Sequence, residues 1–126
     1  MNRTVIATSN APAAIGPYSQ AIATDSLLFI SGQLPIDPAS GKMIEGDIAA
    51  KTEQILKNGA AIAKAAGTVL GRTVKTTIFL TDLADFQAVN AAYGSHFPDA
   101  PPARSTVQVA ALPLGSNIEI EFILAR

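Results

Sequence analysis

The chain predicts an α+β fold: a single-layer mixed β-sheet with two helices on one face. Three observations carry that expectation. The hydrophobic period switches between that of a strand and that of a helix, in the order β-β-β-α-β-α-β-β. Strand–helix–strand units imply crossovers, and crossovers of one hand place both helices on the same side of the sheet. Charged residues make up only 15% of the 126, and hydrophobic ones reach 48%. Typical soluble domains carry about 25% charge, so the sheet face left bare is expected to be buried against another copy of the chain.

The elements follow in order. Thr4–Pro12 (TVIATSNAP) reads as a first strand ended by its proline. Tyr18–Thr24 and Ser26–Leu34 read as two strands joined in a hairpin at Asp25-Ser26, and PIDPASGKMIEG as a turn-rich loop. The period then changes. Ile48, Thr52, Ile55, Leu56, Gly59, Ile62, Ala63 and Ala66 fall on one helical face, with Asp47 placed to cap the start and Gly67 to stop the end. Small residues around Gly59 let this helix lie close to a sheet, and Glu53 and Lys57 are spaced for an i,i+4 pair on its wet side. TVKTTIFLTD alternates as a strand. DFQAVNAAYGSHF is a second helix, with Phe86, Val89, Tyr93 and Phe97 as its apolar stripe. ARSTVQVAAL and NIEIEFILA are the last two strands, and no repeat or linker divides the single domain spanning 1–126.

Composition narrows the function. No apolar run reaches the ~18 residues of a membrane span, and the N-terminus lacks the apolar core of a secretory signal, so a cytoplasmic protein is expected. With no cysteine, a disulfide framework, a thiol nucleophile and a cysteine-based metal site are excluded. Net charge is −1 and the basic residues are scattered singly, which offers no footprint for nucleic acid.

Charge is most informative near the end of the chain. Of four arginines, Arg3 and Arg126 lie at the ends and Arg72 in a turn, which leaves Arg104 at the head of a strand. Strand alternation puts Arg104, Thr106 and Gln108 on one face of the seventh strand. It puts Glu119 and Glu121 on one face of the eighth, opposite Ile118, Ile120 and Phe122. If these strands form a hairpin turning in LPLGS, Glu119 faces Gln108, with Arg104 four residues along, about 13 Å at strand rise. Such a gap suits a small ligand; the alternative is that the two groups meet across chains. Pro101-Pro102 stiffens the approach to Arg104, and an arginine can grip a carboxylate through two parallel hydrogen bonds. The residues alone point to a small-anion site.

PPARSTVQVAALPLGSNIEIEF closely resembles the signature of the reactive-intermediate deaminase family (RidA, the YjgF type). So do NAPAAIGPYSQA, FISGQLPIDPASG and AAGTVLGRTVKTTIFLTDLADFQAVNAAY, in order and at matching spacing. The resemblance implies a chorismate-mutase-like fold and a homotrimer with sites between subunits. It implies hydrolysis of 2-aminoacrylate and related enamines or imines to 2-keto acids and ammonia, with no cofactor and no metal. Arg104 then matches the residue that binds the substrate carboxylate, and Glu119 the one that handles water and protons. Tyr18, Ser31, Gly32 and Asn90 match other pocket positions, and Thr106 stands where relatives often carry cysteine. Glu121 matches no role.

Two rival readings remain open at this point: a trimer that binds 2-keto acids without turnover, and a ribonuclease, a label some relatives carry. A phosphate loop around Gly41-Lys42 is rejected, because Ile36 and Met43 occupy positions that need glycine and a hydroxyl residue. His96, the only histidine, reads as a partly exposed helical residue, and Tyr93 as a core aromatic.

Overall fold

The computed structural model describes residues 2–126. A six-stranded sheet runs in the order β1-β2-β3-β8-β6-β7, built from β1 (Thr4–Ile6), β2 (Ala21–Ala23), β3 (Leu27–Gln33), β6 (Thr73–Leu80), β7 (Ala103–Gln108) and β8 (Ile118–Ala125). β4 (Ile36–Asp37) and β5 (Lys42–Met43) form a separate small hairpin inside the loop expected from its prolines and glycines. β6 and β7 are parallel and the other neighbouring pairs antiparallel, so the sheet is mixed. The first strand is shorter than expected, because Ala7 to Ser19 leaves the ladder; Tyr18 therefore sits in a loop.

The first helix, α1 (Ile48–Ala65), begins where the Asp47 carboxylate accepts from the Ala50 N–H at 2.8 Å, and its chain reverses at Gly67 with φ +80. Its buried face packs on β8 and β3, and Gly59 brings the backbone onto the Phe122 ring, where a Cβ would lie 3.2 Å from the ring carbons. The second helix, α2 (Phe86–Gly94), lies against α1 on the same side of the sheet, as the crossovers require. The core between helices and sheet is aliphatic, with Ile55, Leu56 and Ile62 meeting Leu28, Ile78 and the inward side chains of β8.

The expected pairing of the last two strands is wrong. β7 pairs with β6, and β8 inserts between β3 and β6, so Glu119 lies beside Phe79 and not Gln108. The polarity of each strand explains the outcome. Ile118, Ile120, Phe122 and Leu124 are all buried and gain most at the sheet centre, each worth about 1.5–3 kcal/mol. β7 carries Ser105 and Gln108 and tolerates an edge. The link between them crosses the end of β6, whose Leu80 carbonyl accepts from Val109 and whose following residue, Thr81, donates to the Asn117 carbonyl.

Glu53 also departs from expectation. It pairs at 2.6 Å with His96, which lies in the turn just past the second helix and not within it as expected, and not with Lys57 along its own helix. The opposite face of the sheet is left uncovered by this chain. A row of apolar side chains, Val5, Ile22, Phe29 and Ile123, runs across it on four adjacent strands. Among the described residues, no helix is long and apolar enough to cross a membrane.

Candidate active site

The predicted site residues fall into two groups on opposite faces of one sheet. Arg104 is paired with Thr76 of β6, whose side chain is fully buried under the helices. Its guanidinium accordingly points to the helix side. Nη1 donates to Asn90 Oδ1 at 2.7 Å, and the carbon of the guanidinium lies 5.4 Å from the Phe86 ring centre and 5.2 Å from that of Tyr93. Phe86, Asn90 and Tyr93 are spaced i, i+4, i+7, so α2 presents all three on one face. Two aromatic faces and one amide thus fix the cation, while one hydrogen bond uses one nitrogen of the fork. The Tyr93 hydroxyl is itself held by Thr76 Oγ1 at 2.7 Å. Burial pushes the Tyr93 phenol above its ordinary value, against the Thr76 hydrogen bond and the Arg104 charge.

Thr106 lies on the same face as Arg104, beside Ile78, and its Oγ1 is buried with no hydrogen-bond partner. A buried hydroxyl left unpaired costs about 1–3 kcal/mol. Among the described residues, Thr106 Oγ1 is a buried side-chain polar atom without a hydrogen-bond partner, on the same face as the guanidinium.

The second group lies on the uncovered face. Glu119 alternates with Ile118 and Ile120, which face the helices, so its carboxylate faces the other way. It rests on Gly32, where a Cβ would sit 2.6 Å from Oε2. Gly32 follows Ser31 at an irregularity in the β3–β8 ladder. The Ser31 hydroxyl donates to the Ser19 carbonyl at 2.6 Å, which ties the strand to the loop carrying Tyr18. That loop is tied again by buried Gln20, whose amide accepts from Thr8 N–H and donates to the carbonyls of Thr8, Ala11 and Pro12. Tyr18, Ser31, Gly32 and Glu119 together line a cavity of about 630 Å³. Burial, and then the neighbouring charge of Glu121, raise the Glu119 carboxyl above the ordinary glutamate range. Among the described residues, no cluster of three or more His, Cys, Asp or Glu is arranged to hold a metal ion.

Glu121, for which the sequence offered no role, borders this cavity and a second one beside it, also of about 630 Å³. Arg104, Asn90 and Thr106 reach neither. Phe86 and Tyr93 were legible in the sequence only as an apolar stripe. Asn90, which the resemblance had already named, lies on that stripe at helical spacing from both aromatics and was the signal that could have pointed to them.

The family model described as Endoribonuclease L-PSP matches residues 8–126. A mouse protein named 2-iminobutanoate/2-iminopropanoate deaminase is 50% identical over 124 residues, covering 98% of this chain and 92% of that one. The chain belongs to the RidA (YjgF-type) family. Its plant relative in Arabidopsis thaliana, named Reactive Intermediate Deaminase A, chloroplastic, is 52% identical across 98% of this chain and 66% of its own length. The RidA fold is shared as well: the crystal structure of the YjgF gene product from E. coli superposes with a TM-score of 0.92 at 47% identity, covering 98% of each chain.

Proposed function

We propose that this RidA member hydrolyses enamines and imines derived from amino acids, 2-aminoacrylate among them, to 2-keto acids and ammonia, in a homotrimer of chorismate-mutase-like architecture. The observation that carries the reading is the division of the site. Within one chain the arginine group and the glutamate group lie on opposite faces of the sheet, so a complete site needs Arg104 of one subunit beside Glu119 of the next. The uncovered apolar row from Val5 to Ile123 supplies the surface for such an assembly. The names of the mouse and plant relatives support the chemistry.

Arg104, immobilised by Asn90 and the two rings, binds the substrate carboxylate through its remaining N–H groups. Tyr18, Ser31 and the backbone at Gly32 shape the wall around C2, and the Thr106 hydroxyl gains a partner when the ligand is seated. The enamine takes a proton at C3 to give the imine. Water held by Glu119 then adds to C2, with its proton passing through the carboxylate to nitrogen. The resulting carbinolamine loses ammonia and leaves the 2-keto acid. A carboxyl raised above its usual range is a better proton carrier near neutral pH, and such positioned proton transfer is worth about 10²–10⁴-fold. The substrate brings its own C=N bond, so no lysine has to form one.

The ribonuclease label on the family model has less in its favour. The chain has a single histidine, and His96 is engaged with Glu53, leaving no histidine pair for cleavage of RNA. The test is a coupled reaction in which a pyridoxal-phosphate dehydratase acts on serine. Accelerated pyruvate release by the added protein supports the deaminase. Binding of pyruvate with no acceleration would make the protein a keto-acid binder instead.

A further inference from the structure

The clamp on Arg104 rests on a pair of hydroxyls that the chemistry above leaves idle. Thr76 is paired with Arg104 on one side and with Phe122 on the other. It is fully buried under the helices, where a hydroxyl without a partner is costly and a valine of the same shape is not. The Thr76 hydroxyl meets the Tyr93 hydroxyl at 2.7 Å and so joins β6 to α2. Burial raises the Tyr93 phenol above its ordinary value, so it stays protonated and the pair stays a neutral hydrogen bond.

The Tyr93 ring is left little freedom by its surroundings. Its tip is tied to Thr76, the Phe97 ring lies 4.9 Å away at a tilt of 47°, and the guanidinium carbon of Arg104 lies 5.2 Å from its centre. The hydroxyl sits on the long axis of the ring, so its bond limits how far the ring swings about its root. Asn90 accepts from one nitrogen of the guanidinium, Nη1, at 2.7 Å. A cation held by one hydrogen bond can pivot about it, and the faces of Phe86 and Tyr93 are what oppose the pivot. Of these two rings only Tyr93 has a polar tip, and only it is tethered to the sheet. A two-pronged grip on a carboxylate requires that the remaining N–H groups be aimed.

We propose that Thr76 is a positioning residue: through the Tyr93 hydroxyl it sets the ring that aims the free edge of the Arg104 fork at the substrate carboxylate. The inference rests on the deaminase reading and adds to it a residue that touches no substrate. Its hydroxyl then governs affinity, whereas a residue serving the core alone governs only stability. Groups that share one buried network couple by factors of about two to a hundred.

The test combines pyruvate affinity by calorimetry, imine turnover in the coupled dehydratase reaction, and thermal melting of the full chain. Thr76→Val and Tyr93→Phe each strand one buried hydroxyl and should melt below the parent. The double variant strands neither and should melt near the parent. It should nevertheless bind pyruvate as weakly as the worse single variant, about three- to tenfold below the parent, with kcat/KM lowered by the same factor. Thr76→Ser should do the reverse, melting lower for its lost methyl while it binds and turns over like the parent. Parent-like affinity in the double variant overturns the proposal, as does an affinity loss in Thr76→Ser as large as that in Thr76→Val. A parent that binds pyruvate but accelerates no imine hydrolysis removes the deaminase reading alone, and the affinities then decide the role of Thr76. A parent that binds no pyruvate removes both Arg104 as the carboxylate holder and Thr76 as the residue that aims it.

Discussion

Glu119 occupies the space that a side chain at Gly32 would need. The contact is a matter of room and not of backbone angle, because Gly32 is not among the residues with positive φ. Gly32→Ala places a methyl 2.6 Å from Oε2, and the far end of a flexible glutamate is what yields. The fold should therefore survive, with a melting temperature close to that of the parent, while kcat/KM for imine hydrolysis falls at least tenfold. Comparing thermal melts with turnover checks both halves; unchanged turnover would free Glu119 from any need of its present position.

Arg104→Lys keeps a positive charge but loses the planar fork and its stacking between Phe86 and Tyr93. Charge-assisted contacts of this kind are worth ~1.5–3 kcal/mol, so kcat/KM should fall by roughly ten- to a hundredfold with the oligomer intact. Steady-state kinetics alongside gel filtration decides it, and near-full turnover in the lysine variant would rule out bidentate recognition.

The raised Glu119 carboxyl makes stability depend on pH in a definite direction. Between its unfolded and folded pKa the native chain holds a proton that the unfolded chain has released. Stability from this group therefore falls as pH rises through that window and remains lower above it. Glu119→Gln removes the half-buried charge. It should melt above the parent at about pH 8 and lose that advantage near pH 3.5, where both states of the parent are protonated. An equal gain at both pH values would assign the effect to packing.

Thr106→Val replaces a buried, unpaired hydroxyl with a methyl of the same shape. The ligand-free protein should become more stable by about 1–2 kcal/mol, measurable by urea unfolding. KM for the imine should rise, since the hydroxyl no longer greets the ligand. A destabilised valine variant would mean that the hydroxyl already has a partner.

His96→Gln breaks the contact between the turn after the second helix and Glu53 of the first. A partly exposed pair of this kind contributes at most about 1 kcal/mol, and neither residue lines the cavity that holds Glu119. A small loss of stability with unchanged imine turnover is expected from melts and kinetics; a large loss of activity would give the histidine a chemical part.

The sequence by itself determined the local structure. Period separated strands from helices, Asp47 and Gly67 marked the ends of α1, and the alternation within β7 and β8 put each residue on the correct side of its own strand. These are short-range facts, set by sterics and by the face each element must bury. The family, too, was legible, because its motifs run in order along nearly the whole chain.

Only the tertiary structure decided which strands are neighbours. A hairpin between β7 and β8 was the natural reading of two consecutive antiparallel strands, yet β8 buries more at the sheet centre and displaces that pairing. From this follow the separation of Arg104 and Glu119 to opposite faces, the aromatic clamp on the arginine, and the close fit of Glu119 against Gly32. Face alternation is a property of one strand; which way a strand's polar face is turned depends on what covers the sheet, and that is settled by packing between parts of the chain far apart in sequence.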